Sequence, residues 1–538
     1  MPSRSMTFKN ARVVPMSDRQ AGADALVIEG GLIRAVGEWT DAKAVARGPV
    51  FDLGGAAVLP GFIDTHMHPT FLGRALLGVD VSEAATVGAL VEAIRDRAEE
   101  GGDRGLILAS GLHPPAVREG RNPTRAELDA ATGRPVLVYN RGLHYCIANS
   151  AALAQAGIPP EVGGLLTDEQ GQATGQLVGR ALEFAHRALV EPWLAQIEPA
   201  ELVGRVAHLA VSRGVTTLHA LDGRDPRGSE AQPGCGTQPG IGVRQQADGV
   251  PPSGDDRPQR TVRALMEAGG PVDIVLYWET QDVDRVVRLG LPRIGGCILV
   301  DGGHEARTAA FLEPYADGLQ NRGILYFEQG ALDAFVWRAH SRGLQVAVHA
   351  IGDAAIEQAL TAYERALQRL PRADHRHRIE HFEFPTPDHV RRAARLGLAL
   401  GIQPAFNHYW PHSHFLASLG ADRAAIADPI RSLAEAGILL GGGSDAPVTP
   451  LEPLLGIQAA VTHSRREERL SVERALRLFT CDAARLAFEE PRKGSLEVGK
   501  QADLVVLSES PLEVPPEGLR AIQVLMTVHR GQVVYRRP

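Results

Sequence analysis

A chain of 538 residues with 44% hydrophobic content is long enough for one large domain with smaller additions, and too apolar for a disordered chain. Its formal charge of −8, from 56 Lys and Arg against 64 Asp and Glu, comes without a basic stripe to track a phosphate backbone, which argues against nucleic acid as a partner. No run reaches the roughly 18 consecutive apolar residues of a membrane span, and the start MPSRSMTFKN lacks the apolar core of a secretory signal, so the expected location is cytoplasmic, without a membrane. The four cysteines, Cys146, Cys235, Cys297 and Cys481, form no close pair, so neither a disulfide framework nor a CxxC zinc site is expected.

In chain order, ALVIEGGLIRAVG (25–37) opens the β-rich segments. At the other end DLVVL (503–507) and IQVLMTVHRGQVVY (522–535) read alike, and residues 1–60 with 490–538 are expected to build one small sheet domain from both termini. Between them β-rich runs alternate with helical stretches such as 85–99 and 353–369, the pattern of repeated βα units. The runs FIDTH, TTLHAL, DIVLYW, CILVDG, QVAVHA, RIEHF, LALGIQ and ILLGGGSD supply the strands of a (β/α)8 barrel over 61–489. Two further runs, LILASG (106–111) and PVLVYN (135–140), fall between the first two barrel strands and mark an inserted subdomain over about 70–205. Residues 223–260, crowded with Gly, Pro, Gln and Asp, read as a long loop after strand two, a candidate lid.

Barrel active sites lie at the C-terminal strand ends. His66 and His68 end strand one, His349 strand five, His381 strand six and Asp445 strand eight. The HxH spacing alone is weak, since His375/His377 and His412/His414 repeat it. Four imidazoles and a carboxylate converging on one rim, however, suit zinc better than calcium or magnesium. His219 on strand two is either a core residue or a pocket residue, and His408, His412 and His414 are as compatible with loop surface as with a site.

The stretches PGFIDTHMHP, LVDGGHEARTAAFLEPYAD, VAVHAIGDAAI, RHRIEHFEF, GSDAPVTP and GSLEVGKQADLVVL, spread over nearly the whole chain, resemble the metal-dependent amidohydrolase superfamily, and within it the branch that includes N-substituted formamide deformylases. The resemblance implies a distorted TIM barrel, a composite β-sandwich from both termini, and hydrolysis of an amide-type carbon–nitrogen bond of a small molecule by metal-activated water. One or two zinc ions are implied, two being favoured. In the family the strand-four position is commonly a carboxylated lysine that bridges two metals; here it is Cys297, four residues before Asp301. A thiolate also bridges zinc ions, so the expected ligands are His66, His68, Cys297, His349, His381 and Asp445, with Asp301 a substitute ligand or a partner of one.

Asp445 is further expected to take the proton of the attacking water and pass it to the leaving nitrogen. His144, in NRGLHYCIANS, either hydrogen-bonds within its loop or faces substrate, the resemblance placing a substrate-facing histidine near this point. Asp353 and Glu380 are candidates to orient the imidazoles. Two other functions fit the same residues: a mononuclear deaminase of a cyclic amidine, and a non-catalytic metal-binding or regulatory protein. The oligomeric state stays open, a homo-oligomer included.

Overall fold

The computed structural model describes residues 5–17, 22–100, 105–159, 161–223, 264, 270–318 and 320–538. The expected lid loop, 223–260, lies outside the described residues apart from Gly223. Eight parallel strands form the central sheet in chain order: Phe62–Met67, Val215–Asp222, Asp273–Trp278, Arg293–Ile294, Gln345–Ala350, Arg378–His381, Ala399–Ile402 and Leu439–Gly442. The sheet curls back on itself, since Met67 at the end of strand one pairs with Ala446 just beyond strand eight. Asp445 N–H donates to the His66 carbonyl at 2.7 Å and His68 N–H to the Ala446 carbonyl at 3.0 Å, so the closing seam carries three of the expected ligands.

Strand four differs from its expected extent. The pairing falls on Arg293–Ile294, before the run CILVDG, because Gly295 (φ 99°) and Gly296 (φ 58°) take left-handed conformations that break the ladder. A Cβ on Gly295 would lie 2.1 Å from the Ala347 carbonyl oxygen, so the chain passes strand five at a distance only glycine tolerates. The run then rejoins strand five, His349 N–H donating to Ile298 and Val300 N–H to His349, both at 3.0 Å.

Helices cover the barrel. Asp353–Arg369 buries Ile356, Ala359, Leu360 and Tyr363, and Pro199–Ser212 buries Val203, Val206, Ala210 and Val211, each row at helical spacing. Between strand one and the latter helix, a six-stranded sheet from Val79–Asp80 to Ala173–Val178 carries its own helices and its own apolar clusters.

The terminal segments make two sheets. Four N-terminal strands form one, and the other joins Arg12–Val13 and Ala57–Pro60 to Leu504–Leu507, Val524–His529 and Gln532–Arg536. Strand alternation gives the second sheet two apolar faces: Val58, Leu504 and Val506 pack on Phe8, Leu26 and Ile28 of the first sheet, while Ala57, Leu59, Val505 and Leu507 join the barrel core. The sandwich is thereby anchored to the barrel through its mixed sheet. Among the described residues no helix is long and apolar enough to cross a membrane.

Candidate metal centre

Three overlapping groups of potential ligands, all buried, gather at the C-terminal end of the barrel: His66, His68 and Cys297; Cys297, His349 and His381; His66, His381 and Asp445. Within each group the ligand atoms lie within 4.8 Å of one another. Cys297 belongs to the first two groups. Its Sγ is 3.6 Å from His349 Nδ1 and 3.9 Å from His381 Nε2. Asp445 Oδ1 lies 3.0 Å from His68 Nε2 and 3.3 Å from His66 Nε2. All six residues expected from the sequence as ligands are therefore brought together.

Each imidazole is held from behind, so that its other nitrogen faces the cluster. His66 Nδ1 meets Glu380 Oε2 at 2.7 Å, His68 Nδ1 meets the Leu221 carbonyl at 2.5 Å, and His381 Nδ1 meets Gln403 Oε1 at 2.8 Å. His349 Nε2 lies 3.4 Å from Asp301 Oδ1. This is the arrangement by which metal-binding histidines have tautomer and ring orientation fixed. Glu380 is itself clamped by Arg378, whose Nε is 2.7 Å from Oε1. Of the two expected orienting carboxylates, Glu380 takes that position and Asp353 does not: Asp353 accepts the backbone N–H of Leu312 at 2.7 Å. Asp301 accepts the N–H groups of Ala310, Ile351 and Gly352, so it ties the strand-four loop to the end of strand five while touching His349.

The backbone turns these side chains inward at some cost. His381 (φ 72°), Phe382 (φ 54°) and Asp445 (φ 55°) are non-glycine residues in the left-handed region. Strict alternation on strand six would put Arg378 and Glu380 on one face and His381 on the other. The left-handed turn at its last residue instead lets Glu380 and His381 serve one site. Such conformations cost about 1–3 kcal/mol each and persist where the surroundings over-determine them.

The electrostatics match a cation site. Burial raises the Cys297 thiol, but the neighbouring His349, His381, His66 and His68 outweigh it and hold the thiol well below its ordinary value. Burial likewise raises Asp445, and His66 and His68 outweigh it and hold the carboxyl well below its ordinary value. His66 Nε2 and Asp445 Oδ1 are buried atoms without a hydrogen-bond partner among the described residues, and they face each other. A thiolate, a carboxylate and four imidazoles fit a borderline metal ion such as zinc in donor type.

His144 comes from a hairpin turn of the inserted subdomain, between Val136–Asn140 and Tyr145–Ala148. Its ring seats against Gly303, where a Cβ would fall 2.3 Å from Nε2. Burial, then the charge on His349, push its imidazole down to about 4, with Asp445 acting in the opposite direction. His144 thus feels the cluster directly.

His219 is fully buried and its Nδ1 lies 3.2 Å from Arg378, which makes it a core residue behind the site. Sequence reasoning missed Arg378, Gln403 and the Leu221 carbonyl. Arg378 had a signal, two residues before Glu380 on the same strand face. A lone glutamine and a backbone carbonyl carry none. A further group, Asp273, Asp503 and His529, sits elsewhere. There Lys493 and Arg530 already contact Asp273, and the cluster fastens strand three to the C-terminal strands.

The second HxH pair differs from His66 and His68 in where it stands and what its rings meet. His375 and His377 precede strand six, at the opposite end of the barrel. His377 Nδ1 accepts the Val346 N–H at 3.0 Å and Nε2 meets His340 Nδ1 at 2.8 Å, while His340 Nε2 reaches the Leu370 carbonyl at 2.7 Å. Both ring nitrogens of His377 and both of His340 are used.

Burial is the largest influence on His377, His340 and His375, and it holds each below its ordinary value. The unfolded chain therefore takes up protons below pH about 6.5 that the folded chain refuses until lower pH, so stability is full above that value and falls as pH drops below it. Thermal melts should give a midpoint lower by roughly 2–5 °C at pH 5 than at pH 7.5. His377→Gln should be destabilised at both values and show a smaller difference between them. An equal drop in that variant would put the acid sensitivity elsewhere.

A parallel barrel whose rim gathers imidazoles, a carboxylate and a thiol defines the class of metal-dependent hydrolases. The chain belongs to the Amidohydrolase family, whose profile matches residues 49–535. It is similar to YtcJ of Bacillus subtilis (strain 168), provisionally named an amidohydrolase, with 29% identity over 96% of this chain and 96% of that one. It is also similar to the N-substituted formamide deformylase of Arthrobacter pascens, 27% identical over 99% of both chains. Among solved structures, an uncharacterized metal-dependent hydrolase from Pyrococcus horikoshii OT3 superposes with a TM-score of 0.73 and 25% identity, covering 95% of this chain and 99% of that one.

Proposed function

We propose that this hydrolase cleaves an amide-type carbon–nitrogen bond of a small molecule, and that His66, His68, Cys297, His349, His381 and Asp445 would hold two zinc ions for the reaction. The observation that carries the reading is the membership of Cys297 in two separate ligand groups, with His66 and His68 on one side and His349 and His381 on the other. A mononuclear deaminase would need only one of those groups. Similarity to an N-substituted formamide deformylase supports the choice of bond.

Bound zinc would supply Lewis acidity and bring a water molecule's pKa to about 7. The protein's residues would do the rest. Asp445, kept anionic by its two imidazole neighbours, takes the proton of the attacking water and returns it to the leaving nitrogen. His144, whose depressed pKa keeps it neutral at pH 7, donates a ring N–H to the carbonyl oxygen as negative charge grows there. Glu380, Gln403 and Asp301 hold the ligand rings so that none of these groups has to move.

The reading is tested by a panel of formamides, N-acyl amines and cyclic amides assayed with protein stripped of metal and then reloaded. Hydrolysis that disappears on stripping and returns with zinc is expected. Release of ammonia from cyclic amidines, without amide hydrolysis, would favour the deaminase.

A further inference from the structure

Arg141 sits three residues before His144, on the same hairpin turn, and only 5% of it is exposed. The turn is pinned on several sides. Arg141 N–H donates to the Leu112 carbonyl at 2.8 Å, Asn140 Oδ1 accepts the Tyr145 N–H at 3.0 Å, and Asn140 Nδ2 donates to Glu305 Oε2 at 3.0 Å. The guanidinium lies over the ring of Tyr409, 4.1 Å from its centroid. Its Nε is fully buried and without a hydrogen-bond partner among the described residues. A buried guanidinium donor without an acceptor is costly, so the folded chain keeps it only against a compensating partner.

Glu305 feels the charge of Arg141 but does not accept from its Nε. Its oxygens are taken by Trp410 Nε1 at 2.6 Å and by Asn140 Nδ2, so it offsets the charge of Arg141 through space only. Meanwhile a ladder of rings leads from Arg141 to the metal centre. Tyr409 contacts Trp410 at 6.0 Å between centroids, Trp410 contacts Phe406 at 5.2 Å, and Phe406 stacks on His381 at 5.9 Å. Arg141 is thus tied to the metal centre twice, through the hairpin turn it shares with His144 and through the rings that join Tyr409 to His381.

We propose that Arg141 binds a carboxylate of the substrate, so that the amides this enzyme cleaves are acidic ones, such as N-acyl amino acids. The inference rests on the hydrolytic reading above and narrows its substrate class. A planar carboxylate takes two parallel N–H donors from one guanidinium, an arrangement neutral amides cannot reproduce. The stack on Tyr409 fixes the plane of the fork in advance, so little ordering is left for the substrate to supply.

Two measurements separate this subsite from the hydrolytic reading. In the first, N-acyl amino acids and their carboxamides, matched in shape, are compared as substrates of the zinc-loaded enzyme. The acids should be preferred at least about tenfold in kcat/KM, expressed mainly in KM, because the contact forms in the ground state as well as in the transition state. Arg141→Gln should lose at least about tenfold more on the acid than on the carboxamide, and Arg141→Lys should lie between. Equal kcat/KM for acid and carboxamide in the wild type would overturn the proposal whether or not the variants fold.

The second measurement reads binding alone, by thermal shift with N-acetylglycine, N-acetylglycinamide and inorganic phosphate. A shift by N-acetylglycine that Arg141→Gln abolishes would sustain the subsite even if no amide in the panel were hydrolysed. A shift that survives in Arg141→Gln would place the carboxylate on the metals and overturn the proposal. A shift by phosphate larger than that by N-acetylglycine would overturn the choice of a carboxylate.

Discussion

Replacing His66 and His68 together with alanine is expected to lower kcat/KM on any amide substrate by at least about 10⁴-fold. Both imidazoles belong to the group shared with Cys297, and His66 also belongs to the group with Asp445, so the double variant leaves too few donors for one of the two proposed ions. The barrel should survive, because Glu380 loses His66 yet keeps its hydrogen bond and ion pair with Arg378. Circular dichroism and a thermal midpoint close to the parent's, with activity gone, form the expected pair of observations. Full activity in the double variant would remove the metal from the mechanism.

Asp445→Asn should be nearly as damaging by a different route. The amide keeps the size of the carboxylate and loses both its charge and its ability to take a proton. A proton-transfer group of this kind typically accounts for about 10²–10⁴-fold in rate. The loss should fall on kcat, with KM changed far less, if Asp445, within 3.3 Å of His66 and His68, is the proton acceptor proposed above. A variant whose KM rises while kcat holds would make Asp445 a substrate-binding group instead.

Much of this site is legible in the sequence for a simple reason. Parallel barrel strands are buried on both faces, so they read as short apolar runs, and a polar residue that ends such a run stands on the catalytic rim. His66, His68, His349, His381 and Asp445 all have that placement, whereas His375 and His377 share the HxH spacing but come before their strand and are spent on hydrogen bonds there. Cys297 was reached through the resemblance alone, since nothing in CILVDG separates a ligand thiol from a small apolar side chain.

Other features had no sequence signal. The displaced strand four depends on two adjacent left-handed glycines, and a GG pair reads equally well as a turn. The inward turn of His381 depends on a backbone conformation that neither its own identity nor its neighbours announce. The hydrogen bonds behind the ligands join residues far apart in the chain, such as His66 with Glu380 and His68 with Leu221, and contacts of that range are fixed only by the closed barrel.

Metal analysis of the parent protein beside Cys297→Ala tests the central claim most directly. If one thiolate serves both ions, the parent should carry about two zinc ions per chain and the variant about one. The thiol of Cys297 should resist titration in the loaded protein and react once the metal is stripped, while Cys146, buried and with its thiol shifted upward by that burial, stays unreactive in both states. An unchanged metal-to-protein ratio in Cys297→Ala, together with a Cys297 thiol that titrates freely in the loaded parent, would contradict the account.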